Sequence, residues 1–203
     1  MKHKSLLFFI ILLLPLLAAC RAANDTETDN EIVPEPTVAI NPEAQCPDAP
    51  VGTTLFTNLE DGFCLLLPDG YAVDDSLTSS SGGTETAVYV DSPLDATHPR
   101  LFITVENANG RSLDEITTAK AAEIEASTGS SPTWTFGIML GDSAANQFEQ
   151  VPGQDLSRQV VAVRNGRFYT LTFTPDDASA DAYADMQSLY DTVLGSFNFL
   201  WQA

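Results

Sequence analysis

Alternation of apolar and polar positions is most regular between Arg158 and Thr174, where the chain reads RQVVAVRNGRFYTLTFT. The pattern predicts two β-strands joined by Asn165-Gly166, a dipeptide that tolerates the positive φ angles of a type I′ turn. Such a turn fixes the register, so Arg164 is expected to face Arg167. Because neither face of this hairpin is plainly polar, we expect it in the middle of a sheet with cover on both sides.

Further strands are predicted where short apolar runs lie between turn residues. The polar stretch 74–85, which contains Ser79-Ser80-Ser81-Gly82-Gly83, is instead typical of a mobile loop. The predicted strands are 53–58, 62–67, 86–91, 100–106, 133–140, 144–151 and a short closing strand at 196–201.

Two helices complete the pattern. Ser112 and Glu115 form a capping box, which predicts a helix that runs to about Ser127. Lys120 falls on the otherwise apolar stripe of this helix, where it either extends along the helix edge or contacts a ligand. The second helix is predicted from about 180 to 194, with Gly195 as its stop.

The N-terminus carries an export signal. Lys2 and Lys4 precede an apolar run of signal-peptide length, too short to span a bilayer as a helix. The following Leu-Ala-Ala-Cys resembles the lipobox of bacterial lipoproteins, which implies cleavage after residue 19 and lipidation of Cys20. The alternative is an ordinary secretory peptide with a chance cysteine. More than one acyl chain would hold the protein stably at a membrane.

Residues 20–50 are rich in acidic side chains and prolines and poor in apolar ones. Such a segment cannot bury enough surface to offset its chain entropy, so it is expected to be disordered. It serves either as a spacer that lifts the domain off the membrane or simply as a linker. Residues 51–203 then form one domain, long enough for a sizeable core.

Cys46 and Cys64 remain once Cys20 is lipidated. Two cysteines in an oxidising compartment usually pair, so we predict a disulfide that joins the end of the tether to the second strand. A zinc site is the alternative, but two thiols without a nearby histidine have poor spacing for zinc.

The formal charge of −19 narrows the kinds of molecule that the protein can bind. Such a field repels nucleic acid and anionic lipid headgroups, and the chain has no basic stripe to neutralise phosphates. Nucleic acid is therefore excluded as a partner, and no sequence feature indicates a cofactor.

Element order now indicates a family. The opening GFCLLLPDGYAV, the helix after two strands, the hairpin ending in GRFYTLTFTPDD and the closing LGSFNF together resemble the PsbP-like α/β/α sandwich. The resemblance covers about 52–199 and lies in element order more than in motif. It implies an α+β fold with an antiparallel β-sheet flanked by helices, and mostly binding or assembly roles. The family offers no catalytic residue to transfer.

The sequence offers little catalytic chemistry. His98 is the one histidine after the signal peptide, and it stands in a loop before Pro99. The chain has no Gly-x-Ser-x-Gly elbow, P-loop or HExxH motif. An acidic group near the second helix is a weak calcium candidate, although acids there also complement the helix dipole. Its members are Asp176, Asp177, Asp181 and Asp185.

These observations predict a membrane-anchored, extracytoplasmic lipoprotein that acts as a non-catalytic binding or assembly module, as a monomer with a protein partner in the cell envelope. One alternative is a small-ligand carrier, with an apolar pocket between sheet and helix near Tyr71, Trp134 or Trp201. Another is a hydrolase that acts on envelope material through two carboxylates. A deep apolar cavity would favour the carrier, and two facing buried carboxylates would favour the hydrolase.

Overall fold

The computed structural model describes residues 42–200. Within these residues a short 3-10 helix at Pro42–Gln45 precedes ten strands and two α-helices. The strands are β1 (Thr53–Asn58), β2 (Phe63–Pro68), β3 (Ala72–Thr78), β4 (Thr84–Tyr89), β5 (Arg100–Asn107), β6 (Thr133–Leu140), β7 (Ser143–Val151), β8 (Ser157–Arg164), β9 (Arg167–Thr174) and β10 (Asn198–Phe199). The helices are α1 (Leu113–Thr128) and α2 (Tyr183–Ser196).

The central hairpin has the predicted register. β8 and β9 pair antiparallel with Arg164 opposite Arg167. Asn165 and Gly166 adopt φ angles of 50° and 75°, the sign that a type I′ turn requires at both positions. The two strands lie inside a seven-stranded antiparallel sheet of order β3-β4-β5-β9-β8-β7-β6, so the mid-sheet prediction is confirmed.

Three strands form a separate antiparallel sheet of order β1-β2-β10, which the sequence did not distinguish from the main one. Asp61, in the turn between β1 and β2, joins the two sheets. The Tyr169 hydroxyl donates to the Asp61 carbonyl oxygen at 2.8 Å, and the Thr84 hydroxyl donates to its carboxylate at 2.8 Å. A turn residue thus fixes the small sheet over the large one.

One face of the seven-stranded sheet, the side of Tyr169, Leu171 and Phe173, is covered by a helix and by the small sheet, and we call it the closed face. Helix α2 and strand β2 pack against it and bury its apolar side chains. Met186 of α2 and Phe63 of β2 are both fully buried in this core. Burial of this size is the main favourable contribution to the stability of the domain.

The opposite face, the side of Thr170, Thr172 and Thr174, is covered only in part, and we call it the open face. Helix α1 packs on β7 and β8, where Ile116 and Ile124 meet Phe148 in a smaller core. Helices therefore lie on both sides of an antiparallel sheet, and the predicted α+β class is confirmed. The strip over β5 and β9 is left without a helix above it.

Two predicted boundaries are wrong. Residues 74–85 are not one loop, because β3 extends to Thr78 and β4 begins at Thr84. The intervening turn is closed by hydrogen bonds from the Ser79 amide to the Gly83 carbonyl and from the Gly82 amide to the Ser79 carbonyl, at 2.9 and 3.0 Å. Helix α2 also continues through Gly195, and its last turn is closed by the Phe197 amide.

Cys46 and Cys64 form a disulfide with a Cα–Cα distance of 5.9 Å, as predicted. Cys64 lies in β2, the central strand of the small sheet. The bond therefore attaches the segment before β1 to a fully buried position.

Candidate functional site: a polar groove on the open face

A groove of about 440 Å³ lies on the open face between α1 and the turn that joins β3 to β4. One wall is the side of α1 that carries Ala119 and Lys120, and the other is the serine turn 79–81. The floor is formed by β5, β9 and β8. Its side chains are Thr104, Glu106, Phe168, Thr170, Thr172 and Gln159.

The wall formed by α1 is fixed at both ends of the helix. The capping box is present, since the Glu115 amide donates to the Ser112 hydroxyl at 3.3 Å and the Ser112 amide donates to Glu115 Oε2 at 2.8 Å. Gly129 ends the helix in the left-handed conformation at φ 74°. A defined start and end give the groove a rigid wall.

Threonine hydroxyls line the middle of the floor. Thr104 on β5 faces Thr170 on β9, and Thr172 follows two residues further along the same side. Within the described part of the chain, none of these three hydroxyls has a hydrogen-bond partner. Thr170 as a whole residue is only 7% exposed, so its side chain lies at the base of the groove.

A second part of the groove, about 310 Å³, continues toward the far end of β9 and shares Gln159 and Thr172 with the first. It is lined by Arg100, whose guanidinium forms a very short contact with Asp155 and donates to the Pro93 carbonyl. The two parts together follow β9 from Phe168 to Thr174, roughly 20 Å at the rise of a β-strand.

The second part of the groove, which we call the lower part to distinguish it from the first or upper part, contains several unpartnered polar atoms. Gln159 Oε1, Arg100 Nε and Thr174 Oγ1 are all buried without a hydrogen-bond partner. Unsatisfied buried groups are uncommon in folded proteins, and their concentration at one place indicates a site.

The groove also holds the cations that the fold leaves unpaired. Four of the six Lys and Arg side chains in residues 42–200 form ion pairs with aspartates. The remaining two, Arg111 and Lys120, both line the groove. Arg111 lies over the Phe168 ring at 5.7 Å and donates to the Ala108 carbonyl. Burial lowers the pKa of Lys120, while the charges of Glu123 and Glu106 oppose that shift.

The four aspartates of the calcium candidate do not form a ligand group. Asp176 is 3% exposed, accepts from Arg158 at 2.8 Å and accepts from the Gln150 amide at 2.8 Å. Its carboxylate is therefore an internal ion-pair partner of β8, which gives the calcium hypothesis no support.

The other three aspartates are separated. Asp177 accepts from the Ser179 amide at 2.9 Å, which lowers the pKa of its carboxyl. Asp177 and Asp181 line a separate depression of about 500 Å³, whereas Asp185 lies on α2, where its charge acts on Tyr71 and His98.

Among the described residues, the one group with metal-ligand spacing is Asp91, Asp95 and His98, whose ligand atoms lie within 4.8 Å of one another. His98 Nδ1 lies 2.6 Å from an Asp95 oxygen and 3.1 Å from the Thr97 hydroxyl. These contacts hold the β4–β5 loop together, and the hydrogen bond to Asp95 raises the pKa of His98.

The aromatic residues suggested for an apolar pocket have packing roles. Tyr71 packs against the main core, and burial raises its pKa to about 12. Trp134 stacks on Phe148 with ring centroids 5.4 Å apart. Trp201 and the lipidation candidate Cys20 lie outside the described residues, together with residues 1–19 and most of the tether.

The sequence analysis missed the floor of the groove and found only part of its wall. Lys120 was the one available signal, a cation on an apolar helical stripe. Thr104 and Thr170 gave none, because threonine is an ordinary strand residue and their proximity depends on the pairing of β5 with β9.

No helix among the described residues is long and apolar enough to cross a membrane.

The chain was compared with known families, proteins and structures. No protein-family model matches this chain. No curated protein matches it either. Among solved structures it is similar to cyanobacterial PsbP (CyanoP) from Synechocystis sp. PCC 6803, determined in solution, at 14% identity and a TM-score of 0.49, over 78% of this chain and 99% of that one. That structure bears the name of the family which the element order resembles.

Proposed function

We propose that this protein is a membrane-anchored extracytoplasmic lipoprotein whose domain is a non-catalytic binding module, with the open-face groove as its binding site. One observation carries the proposal. The floor hydroxyls and the unpaired cations of the domain converge on a single groove that runs along β9. Polar groups left without partners at a concave surface are those that a ligand can use.

The geometry favours this function over a carboxylate hydrolase. Three glutamates line the groove, but none of them is buried. A raised pKa through burial is the usual way in which a carboxyl group becomes a general acid at neutral pH. His98 does not line the groove, and its Nδ1 is engaged by Asp95.

The geometry also favours a polar ligand over an apolar one. The carrier hypothesis expected an apolar pocket near Tyr71 or Trp134, but neither residue lines the groove, and the floor of the groove carries threonine hydroxyls and the Gln159 amide. An apolar ligand would remove water from these groups without replacing its hydrogen bonds.

Membrane attachment rests on the sequence. The basic start, the apolar run and the Leu-Ala-Ala-Cys box support lipidation at Cys20. We expect a Cys20→Ala variant to leave the membrane fraction and the wild-type protein to carry the mass of acyl chains on its N-terminal peptide. A Cys20→Ala variant that stays in the membrane fraction would contradict the anchor.

The groove is tested by photo-cross-linking in intact cells. A benzophenone side chain at Ala119, an exposed residue of the groove wall, should form a reproducible adduct. The matched control carries the same group at Thr135, which is exposed on β6 and lies outside the groove. Adducts at both positions, or at neither, would overturn the proposed site.

A further inference from the structure

The hydroxyls and amide of the floor point to a ligand that both donates and accepts hydrogen bonds at close intervals. Threonine hydroxyls can do either, and the Gln159 amide keeps Oε1 as an unused acceptor. Thr104, Thr170 and Thr172 repeat this dual capacity along two neighbouring strands. A ligand with one polar end would leave most of these groups without a partner.

Aromatic rings lie at both parts of the floor. Phe168 lines the upper part and Phe102 the lower part, and both are partly exposed. Aromatic faces next to hydrogen-bonding side chains suit a ligand whose edge is polar and whose face carries C–H groups. A sugar ring has that construction.

Charge argues against an anionic ligand. Arg111 and Lys120 are opposed by Glu85, Glu106 and Glu123 around the same groove. Arg100 is already paired with Asp155. The chain as a whole carries −19, so a polyanionic ligand is repelled before it arrives.

We propose that the open-face groove binds a neutral oligosaccharide, an inference that rests on the proposed function and names its ligand. A peptide fits the groove less well. Peptides dock by pairing with a free strand edge, by laying an apolar helical face in an apolar groove, or by stacking proline on aromatic residues. The floor here is the face of three paired strands, and its middle is polar.

An array of neutral oligosaccharides tests the inference with the full chain. We expect retention on a subset of tetrasaccharides, and at least a 10-fold loss for the double variant Thr170→Val, Thr172→Val, which removes two hydroxyls and keeps their shape. Thr135→Val, on the same sheet and outside the groove, is the matched control and should bind as the wild type does. The retained sugar should also protect Lys120 from acetylation, as measured by peptide mapping.

Three results would overturn the inference: no neutral oligosaccharide retained, retention of acidic glycans only, or equal binding by the double variant. The cross-link at Ala119 separates this failure from that of the proposed function. An adduct with hexose mass supports both proposals. A protein adduct there leaves the groove as a binding site and overturns the sugar, whereas no adduct overturns both.

Discussion

The two faces of the seven-stranded sheet come from the same strands and differ in what covers them. On β9, Tyr169, Leu171 and Phe173 point to the closed face and are buried by α2 and the small sheet. Thr170, Thr172 and Thr174 alternate with them and point to the open face, where α1 covers only β7 and β8. One strand therefore supplies both the main core and the floor of the groove.

The difference indicates which residues the fold needs. Apolar side chains of the closed face lose most of their exposure, and that burial stabilises the domain. The hydroxyls of Thr104, Thr170 and Thr172 on the open face form no hydrogen bond in the described structure, so their removal should cost little stability. Substitutions on the two faces should accordingly separate stability from binding.

The largest expected effect is the removal of a closed-face ring. Phe173→Ala should lower the free energy of unfolding by about 3–5 kcal/mol, because Phe173 is fully buried and contacts the Tyr190 ring at 5.2 Å. Thr172→Val, the next residue on the opposite face, should change it by less than about 0.5 kcal/mol. Urea denaturation measures both. Similar losses in the two variants would contradict the comparison.

The next effect concerns a buried charge on the closed side. Asp176→Asn should cost roughly 3 kcal/mol, because it leaves the largely buried Arg158 guanidinium without its counter-charge. Asp177→Asn is the neighbouring control. Its amide oxygen can still accept from the Ser179 amide, so a change below about 0.5 kcal/mol is expected in the same denaturation assay. Equal losses in the free energy of unfolding at the two positions would show that the ion pair is not the cause of the destabilisation.

A smaller effect is expected from the helix that walls the groove. Ser112→Ala removes the cap of α1 and should lower stability by about 1 kcal/mol. Ser112→Thr keeps a hydroxyl at the cap and should restore most of it. Amide hydrogen exchange in the first turn of α1 measures how often that turn opens. Unchanged exchange in the alanine variant would show that the wall is held by packing alone.

The smallest effect lies on neither face. Asp95 raises the pKa of the exposed His98 above its ordinary 6.5, and the same contact lowers the pKa of Asp95 below 3.8. The stability that protonated His98 contributes to the folded state is therefore fully present below pH 6.5, and it is lost as the pH rises through the raised pKa. The stability that ionised Asp95 contributes to the folded state is fully present above pH 3.8, and it is lost as the pH falls through the lowered pKa.

NMR titration of the His98 ring should show the raised pKa in the wild type, and a value closer to 6.5 in an Asp95→Asn variant. An unchanged His98 pKa in that variant would show that Asp95 is not the cause. The stability of the domain should barely change in either case, because the pair is partly exposed and solvent screens it.

Much of the fold could be predicted because its signals are local. The hairpin follows from the dipeptide Asn165-Gly166 and from the alternation on either side, and α1 follows from its capping box. β3 was missed because it is an edge strand with Asp74 and Asp75 and a register shift after Asp74, so its sequence resembles a loop. Packing against the core carries α2 past Gly195, which intrinsic propensity alone would place at the helix end.

The groove could not be predicted because it depends on distant pairing. Thr104 and Thr170 become neighbours only when β5 pairs with β9, and nothing near either residue specifies that pairing. How much of the open face α1 covers likewise depends on which strands the helix packs against, and those strands are distant in sequence. Local pattern identified the strands, but it did not show which of their faces would stay open.

The Cys46–Cys64 bond also decides how the domain resists a pull. Tension applied to the chain ahead of Cys46 enters the domain covalently at Cys64, so the segment that includes β1 carries no load. β2 is held by ladders to β1 on one side and β10 on the other, and both must shear together before it moves. Without the bond the same tension would reach β1, an edge strand whose hydrogen bonds can peel apart one pair at a time. A pull on the chain ahead of Cys46 therefore meets two ladders of hydrogen bonds in place of one.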